Sequence, residues 1–162
     1  CILYVLFLDI IRRVLYDSVN NYYYYRKGGY MQALKYSRQR ESIKELLMAR
    51  HDHPTADMIY TDIREIYPNI SLGTVYRNLS LLSDIGEIKK ITTGDGADRY
   101  DADTHPHNHF ICRRCKNVMD LKMEDIGYIK KSASKDFDGI IEDYSVIFYG
   151  ICASCKDCHK EH

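Results

Sequence analysis

The stretch RYDADTHPHNHFICRRCKNVMD, running from Arg99 to Asp120, decides how the rest of the chain is read. It holds three carboxylates (Asp101, Asp103, Asp120), histidines at alternate positions (His105, His107, His109) and a Cys-x-x-Cys pair, Cys112 and Cys115. Two kinds of metal chemistry are interleaved. Thiolates suit a borderline-soft ion such as zinc, whereas imidazole mixed with carboxylate suits iron or manganese. The expectation is a permanent thiolate lock on the fold beside a removable, reactive His/Asp site.

Working outward, a second Cys-x-x-Cys pair stands at Cys152 and Cys155. Two such knuckles, each beside a strand, can set four thiolates tetrahedrally around one zinc ion. Redox dithiols and unligated core cysteines are the competing readings. Zinc is preferred because paired Cys-x-x-Cys units without an export signal fit a reducing cytosol better than disulfides do, which also makes the expected location cytoplasmic. Cys1 and Cys158 are left over. Cys158 reads as an exposed reactive thiol, with Cys158 and His159 as spare ligands in the alternative. The histidines are less specific. A strand of period two would put His105, His107 and His109 on one face, although Pro106 argues for a loop at its start.

Upstream, the pattern reads as a winged helix. Arg38 to Ala49 has helical spacing with Ile43, Leu46 and Leu47 inward. Thr55 caps a second helix with Ile59, Ile63 and Ile66 buried, ended by Pro68 and Asn69. Ser71 opens a third, Leu72 to Ile85, with Leu72, Val75, Leu79 and Leu82 inward and Gly86 as its stop. The outer face of that helix presents Thr74, Arg77 and Asn78, with Tyr76 on the flank, and no acidic residue before Asp84. Such a face can enter a major groove; the plain alternative is a solvated surface. Strands Glu87 to Thr92 and Ala97 to Asp101 would form the wing around Gly94-Asp95-Gly96, with Lys89 and Lys90 placed for phosphate contacts. The whole chain is neutral, with 23 Lys and Arg against 23 Asp and Glu, so DNA binding has to rest on local placement.

Downstream, Phe110 to Cys112 and Val118 to Leu121 read as strands and Glu124 to Lys135 as a helix with Ile126 and Ile129 inside. Asp138-Gly139 turns the chain into an apolar strand, Tyr144 to Ile151, whose uncovered face suggests a homodimer. The fold class is therefore α+β: an N-terminal winged helix-turn-helix DNA-binding domain (31–100), a hinge carrying metal ligands (101–108) and a small α/β dimerisation domain (109–162) with a structural four-cysteine zinc site. Residues 1–30 are an N-terminal extension. The apolar run Cys1 to Leu8 is too short to span a bilayer and lacks the form of a secretory signal, so no membrane role is expected. Lys27-Gly28-Gly29 can be encoded by a purine-rich ribosome-binding sequence just upstream of Met31, which makes translated leader the preferred reading of 1–30. An amphipathic helix packed on the domain is the alternative.

From Met31 to Cys155 the chain resembles the ferric uptake regulator (Fur) family and, within it, the peroxide-sensing PerR subgroup. The segments that carry the resemblance are His53-Pro-Thr-Ala-Asp57, Thr74-Val-Tyr-Arg77, Arg99-Tyr-Asp101, His107-Asn-His109-Phe-Ile-Cys112 and Cys152-Ala-Ser-Cys155. The resemblance implies Cys112, Cys115, Cys152 and Cys155 as structural Zn2+ ligands. It implies His53, Asp101, His107, His109 and Asp120 as a regulatory site for Fe2+ or Mn2+, and Tyr76 and Arg77 as part of the DNA-reading helix. Asp at both 101 and 120 is the peroxide-sensor pattern; iron- and zinc-responsive relatives tend to carry Glu or His at the first and Glu at the second. By the same resemblance the metal-loaded homodimer binds a double-stranded operator and represses. Hydrogen peroxide then oxidises His53 or His107, the metal leaves and the DNA is released.

Departures from the family pattern are Lys116-Asn117 in place of Gly-Lys, with Asn117 expected at positive φ, and the additional candidate ligands His105 and Asp103. The helix that commonly begins the family fold is short or missing if Met31 is the start. The alternatives are an iron- or zinc-responsive uptake repressor on the same fold, a zinc-stabilised interaction module and a metal-dependent hydrolase. The last lacks a general base and substrate pocket in the sequence, so no enzymatic activity is expected.

Overall fold

The computed structural model describes residues 15–17, 22–27, 30–94, 96–123, 127–141 and 144–157. They divide into two compact units. The first comprises residues up to Ile91 together with Tyr100–Thr104; the second comprises Thr92–Arg99 and the chain from His105 onward. Asp101 falls in the first unit and His107 in the second.

The first unit opens with an antiparallel sheet of β1 (Leu15–Asp17), β2 (Tyr22–Lys27) and β3 (Tyr30–Lys35) in that order. Tyr22 pairs with Lys35 and Lys27 with Tyr30. These residues therefore form strands, not the amphipathic helix weighed above, and no helix occupies residues 30–35. Residues 1–14 and 18–21, like Cys158 and His159, lie outside the described residues.

Three helices follow: α1 (Arg38–Met48), α2 (Ala56–Ile63) and α3 (Leu72–Asp84). Each starts at a hydroxyl that accepts an amide N–H of the first turn: Ser37 from Arg40, Thr55 from Met58 and Ser71 from Thr74. Their inner faces merge into one core of Ile43, Leu47, Ala56, Ile59, Ile63, Ile70, Val75, Leu79 and Leu82, completed by Ile88 and Tyr100. Burying each large aliphatic chain contributes roughly 1.5–3 kcal/mol. Gly86, at φ 77, turns the chain out of α3. β4 (Lys89–Ile91) and β5 (Arg99–Asp101) pair as a two-stranded hairpin. Three helices and a hairpin make a winged helix-turn-helix.

Two boundaries differ from expectation. α2 ends at Ile63, and Ile66 is 59% exposed instead of buried. Pro68 disfavours helical geometry at Tyr67 and crowds the carbonyl four residues back, so the helix stops about a turn early. The chain turns through Tyr67, whose N–H reaches Ile63 O at 2.9 Å, and Ile70 takes the core place. The wing strands are also shorter than expected, since residues 92–98 loop out through Gly94 at φ 82; Asp95 is outside the described residues.

The second unit is a three-stranded sheet in the order β7-β6-β8, formed by β6 (Asn108–Cys112), β7 (Val118–Leu121) and β8 (Ile147–Gly150). β7 runs antiparallel to β6 and β8 parallel to it, the return passing through α4 (Tyr128–Ala133). α5 (Ala153–Asp157) follows β8. α4 is shorter than expected and buries no residue; Ile129 is only half-buried and Ile126 lies outside the described residues. β8 is likewise only four residues long, with Tyr144 to Val146 irregular. Tyr144, Phe148, Tyr149 and Ile151 are exposed, so the apolar character of this segment is not used inside the described unit. No helix among the described residues is long and apolar enough to cross a membrane.

Candidate metal centres

Four thiols converge at the end of the β6–β8 sheet. β6 delivers Cys112, and the turn after it is closed by Lys116 N–H donating to Cys112 O at 2.9 Å and Cys112 N–H to Asn117 O at 3.0 Å. Lys116, at φ 61, takes the left-handed position expected for Asn117. The tight closure on Cys112 O fixes the reversal one residue earlier. β8 delivers Cys152, and one turn of α5, with Lys156 N–H on Cys152 O, brings up Cys155. The four sulfurs lie within 4.8 Å of one another.

Cys115 Sγ and Cys152 Sγ are 3.7 Å apart and all four cysteines are free thiols. A disulfide would need about 2.05 Å. A tetrahedron with bonds of about 2.3 Å has an edge of about 3.8 Å, the spacing of thiolates around zinc. The polypeptide has prepared the charge as well. Backbone N–H groups of Cys115 and Cys152 hold the Cys112 thiol down at about 6, the Cys152 amide reaching its sulfur at 3.4 Å. Cys155 is pushed up to about 12 by the Cys152 thiol, burial and the remaining sulfurs, a conflict among anions that a divalent cation relieves. The residues present fit zinc.

The His/Asp set is built in two parts. In the first unit, His53 precedes α2 at φ 47, a conformation uncommon outside glycine and doubly unusual before a proline. Pro54 O accepts Tyr100 N–H at 3.0 Å, tying this loop to β5. The consequence is that His53 Nε2 stands 3.7 Å from Asp101 Oδ2, with both side chains buried. Asp101 is oriented by its other oxygen, which accepts Asp103 N–H at 2.8 Å. A costly backbone conformation holding a buried imidazole against a carboxylate is the kind of strain that points to a site.

In the second unit, register sets the geometry. His109 on β6 is directly opposite Asp120 on β7. His107, just before the strand, has the same parity, and its ring meets that of His109 edge to face with centroids 4.4 Å apart. The two Nε2 atoms are 2.8 Å apart. Asp120 Oδ1 lies 3.3 Å from His107 Nε2 and 3.6 Å from His109 Nε2. His107 Nδ1 is 2.9 Å from the His105 carbonyl, which can only accept; Nδ1 is therefore the donor, which in the neutral imidazole leaves the Nε2 lone pair for a metal. His105 thus serves through its backbone, as Asp103 does through its N–H. Neither joins a cluster of candidate ligand atoms among the described residues. The sequence offers both as additional candidate ligands; the His107–His105 contact and the Asp101–Asp103 hydrogen bond show their supporting roles. Imidazole nitrogens and carboxylate oxygens make a donor set suited to iron or manganese.

On α3, Tyr76 and Arg77 are exposed, while Thr74 and Asn78 are half-buried. Arg77 Nη2 donates to Thr74 Oγ1 at 3.1 Å, Asn78 Nδ2 to Thr74 O at 2.9 Å and Tyr76 OH to Asp57 Oδ2 at 3.3 Å. The helix thus holds its polar side chains in a fixed array. On β4, Lys90 is exposed and Lys89 half-buried.

The ferric uptake regulator family model matches residues 31–149. The peroxide-responsive repressor PerR of Staphylococcus aureus is 38% identical over 119 residues, covering 74% of this chain and 80% of that protein. Among solved structures, the Campylobacter jejuni peroxide stress regulator superposes with a TM-score of 0.64 at 32% identity, over 72% of this chain and 88% of that one. The Helicobacter pylori ferric uptake regulator, described as having three functional metal-binding sites, gives 0.67 at 26% identity over 76% and 83%. The chain belongs to the ferric uptake regulator family of metal-dependent repressors.

Proposed function

We propose that this chain is a peroxide-sensing repressor whose regulatory ion is Fe2+ or Mn2+, held by His53 and Asp101 of the first unit with His107, His109 and Asp120 of the second. The observation that carries this reading is the donor set itself: imidazoles prepared for ligation, and aspartate, not glutamate, at both 101 and 120. The similarity to the Staphylococcus aureus and Campylobacter jejuni peroxide regulators supports it.

Each residue then has a task. Asp101, fixed by Asp103 N–H, and His53 bind from the DNA-binding unit, so its angle to the other unit is set when all five ligands share one ion. Two copies meet through the apolar residues of β8 and its flanks, which gives a homodimer with two α3 helices. Arg77, Tyr76, Thr74 and Asn78 read base edges in successive major grooves about 34 Å apart, and Lys89 and Lys90 contact phosphate. Fe2+ held by these five residues would supply the redox chemistry that activates hydrogen peroxide, which Mn2+ does not readily do; overall one peroxide oxygen goes to an imidazole carbon of a ligand histidine and the other leaves as water. His53 or His107 gains one oxygen atom and loses its donor character, the units are released from one another and the operator is freed.

The testing experiment is operator binding by the Fe-, Mn- and Zn-loaded chain with and without peroxide. Release of the Fe form alone is expected. The likeness to the Helicobacter pylori ferric uptake regulator favours a second reading, an iron- or zinc-responsive uptake repressor; peroxide-insensitive binding in the Fe form would select it. Arg77→Ala is expected to cost roughly 1–3 kcal/mol of operator binding per site while leaving zinc content and thermal unfolding unchanged. Full-affinity binding by that variant, measured by fluorescence anisotropy, would remove α3 as the reading helix.

A further inference from the structure

Arg50 follows α1 and opens the loop that carries His53. Its backbone N–H donates to Leu47 O at 3.1 Å, which fixes it to the end of that helix. Its guanidinium reaches two carboxylates in different parts of the first unit. Nε and Nη2 donate to the two oxygens of Asp52 at 2.8 and 2.5 Å, and Nη1 donates to Asp62 Oδ2. Asp52 immediately precedes His53, and Asp62 lies in the last turn of α2. One planar group thus ties the end of α1, the loop and α2 together.

Surface ion pairs usually contribute little, because long side chains give up freedom to form them and water screens them. This one differs in form and in place. All three guanidinium nitrogens are used, and the side-on fork on Asp52 fixes direction as well as distance. The arginine side chain is only 22% exposed, against 52% and 42% for the two aspartates. The place matters more. His53 holds φ 47 before a proline, a conformation that persists only where its surroundings impose it. Downstream, Tyr100 N–H on Pro54 O and the Thr55 cap of α2 impose it. Upstream, residues 50–52 belong to no helix or strand, and the Arg50 fork supplies the hold on that side.

We propose that Arg50 is a positioning residue for His53: clamped between Asp52 and Asp62, it keeps the histidine in its left-handed conformation against Asp101 and so raises the affinity of the regulatory site for Fe2+ or Mn2+. The consequence for metal rests on the reading of His53 as a ligand given above; the hold on the loop does not. Charge and geometry predict opposite signs. Removing a cation this close in sequence to a metal ligand would by itself strengthen Mn2+ binding, so a weaker site reports lost geometry.

The test compares the intact, zinc-loaded chain with Arg50→Gln and Asp62→Asn, first without and then with Mn2+. Without Mn2+, both variants are expected to move the His53 13Cα shift toward its unfolded-chain value and to quicken Tyr100 amide exchange severalfold. Mn2+ affinity should fall about tenfold in Arg50→Gln and severalfold in Asp62→Asn, with zinc content and thermal unfolding unchanged. In the His53→Asn background, Arg50→Gln should change Mn2+ binding by less than about twofold. Asp62→Asn, which reaches the loop through Arg50, decides the matter if Arg50→Gln does not fold. An unaltered His53 shift in the variants would overturn the proposal. So would unchanged or tighter Mn2+ binding, or an equal loss in the His53→Asn background, wherever His53→Asn itself weakens Mn2+ binding. Should the unaltered chain bind Mn2+ no better than His53→Asn, the ligand reading fails, and the spectra without Mn2+ decide the positioning role alone.

Discussion

Cys152→Ser should remove zinc and unfold the second unit while the helical core of the first persists. Four thiolates gathered from two knuckles are the main cross-link of a sheet with few fully buried side chains: Ile111, Cys112 and Val118 are buried, whereas Phe148, Tyr149 and Ile151 are exposed. A structural zinc ion contributes on the order of 10 kcal/mol to folding, more than a module of this size otherwise holds in reserve. Serine keeps the volume but does not supply a thiolate. Zinc by atomic absorption should fall from one ion per chain to none, and far-UV circular dichroism should lose strand signal while retaining helix. Full zinc content in Cys152→Ser would remove this residue from the site.

The second large effect is at His53. In the proposed clamp it is the first unit's imidazole ligand, far from Asp101 in sequence yet 3.7 Å from it in space. His53→Asn keeps a residue type that tolerates φ near +50 and is too short to reach the same point. Losing even a supporting partner of a ligand costs about 10–100-fold in metal affinity, so losing the ligand should cost about 100-fold or more. Mn2+-dependent operator binding should vanish at metal concentrations that saturate the unaltered chain, with zinc and thermal stability retained. Unchanged Mn2+ dependence in His53→Asn would take His53 out of the regulatory site.

The sequence made some parts of this structure readable because local chemistry dictates them. Thr55 and Ser71 each stand where a helix should open and each caps one, as Ser37 also does for α1. Cys-x-x-Cys spacing is tied to a single turn, so two pairs imply one four-sulfur cluster, which the sulfur separations match. Alternation along β6 predicts that His107 and His109 face together, and they do.

Other parts depend on competition between non-neighbours. Ile66 and Ile70 are equally apolar candidates for the core. Pro68 decides between them through the turn it imposes, not through any periodicity. Lys116 outranks Asn117 for the left-handed position because the closure on Cys112 O sets the reversal, although propensity favours asparagine. The pairing of His53 with Asp101 follows from the hydrogen bond between Tyr100 and Pro54, a long-range contact no window of sequence contains. The family resemblance, not the residue pattern, is what singles out His53 in the sequence. The roles of Asp103 and His105 were hidden for the opposite reason. Their side chains suggest ligands, while their backbone atoms orient Asp101 and His107.

The most direct measurement for the peroxide reading is mass spectrometry of the chain loaded with Fe2+ or with Mn2+ and exposed to hydrogen peroxide. A gain of one oxygen on the peptide carrying His53 or His107, in the Fe2+ form and not in the Mn2+ form, is the predicted result. Equal modification of both forms, or of neither, would contradict it.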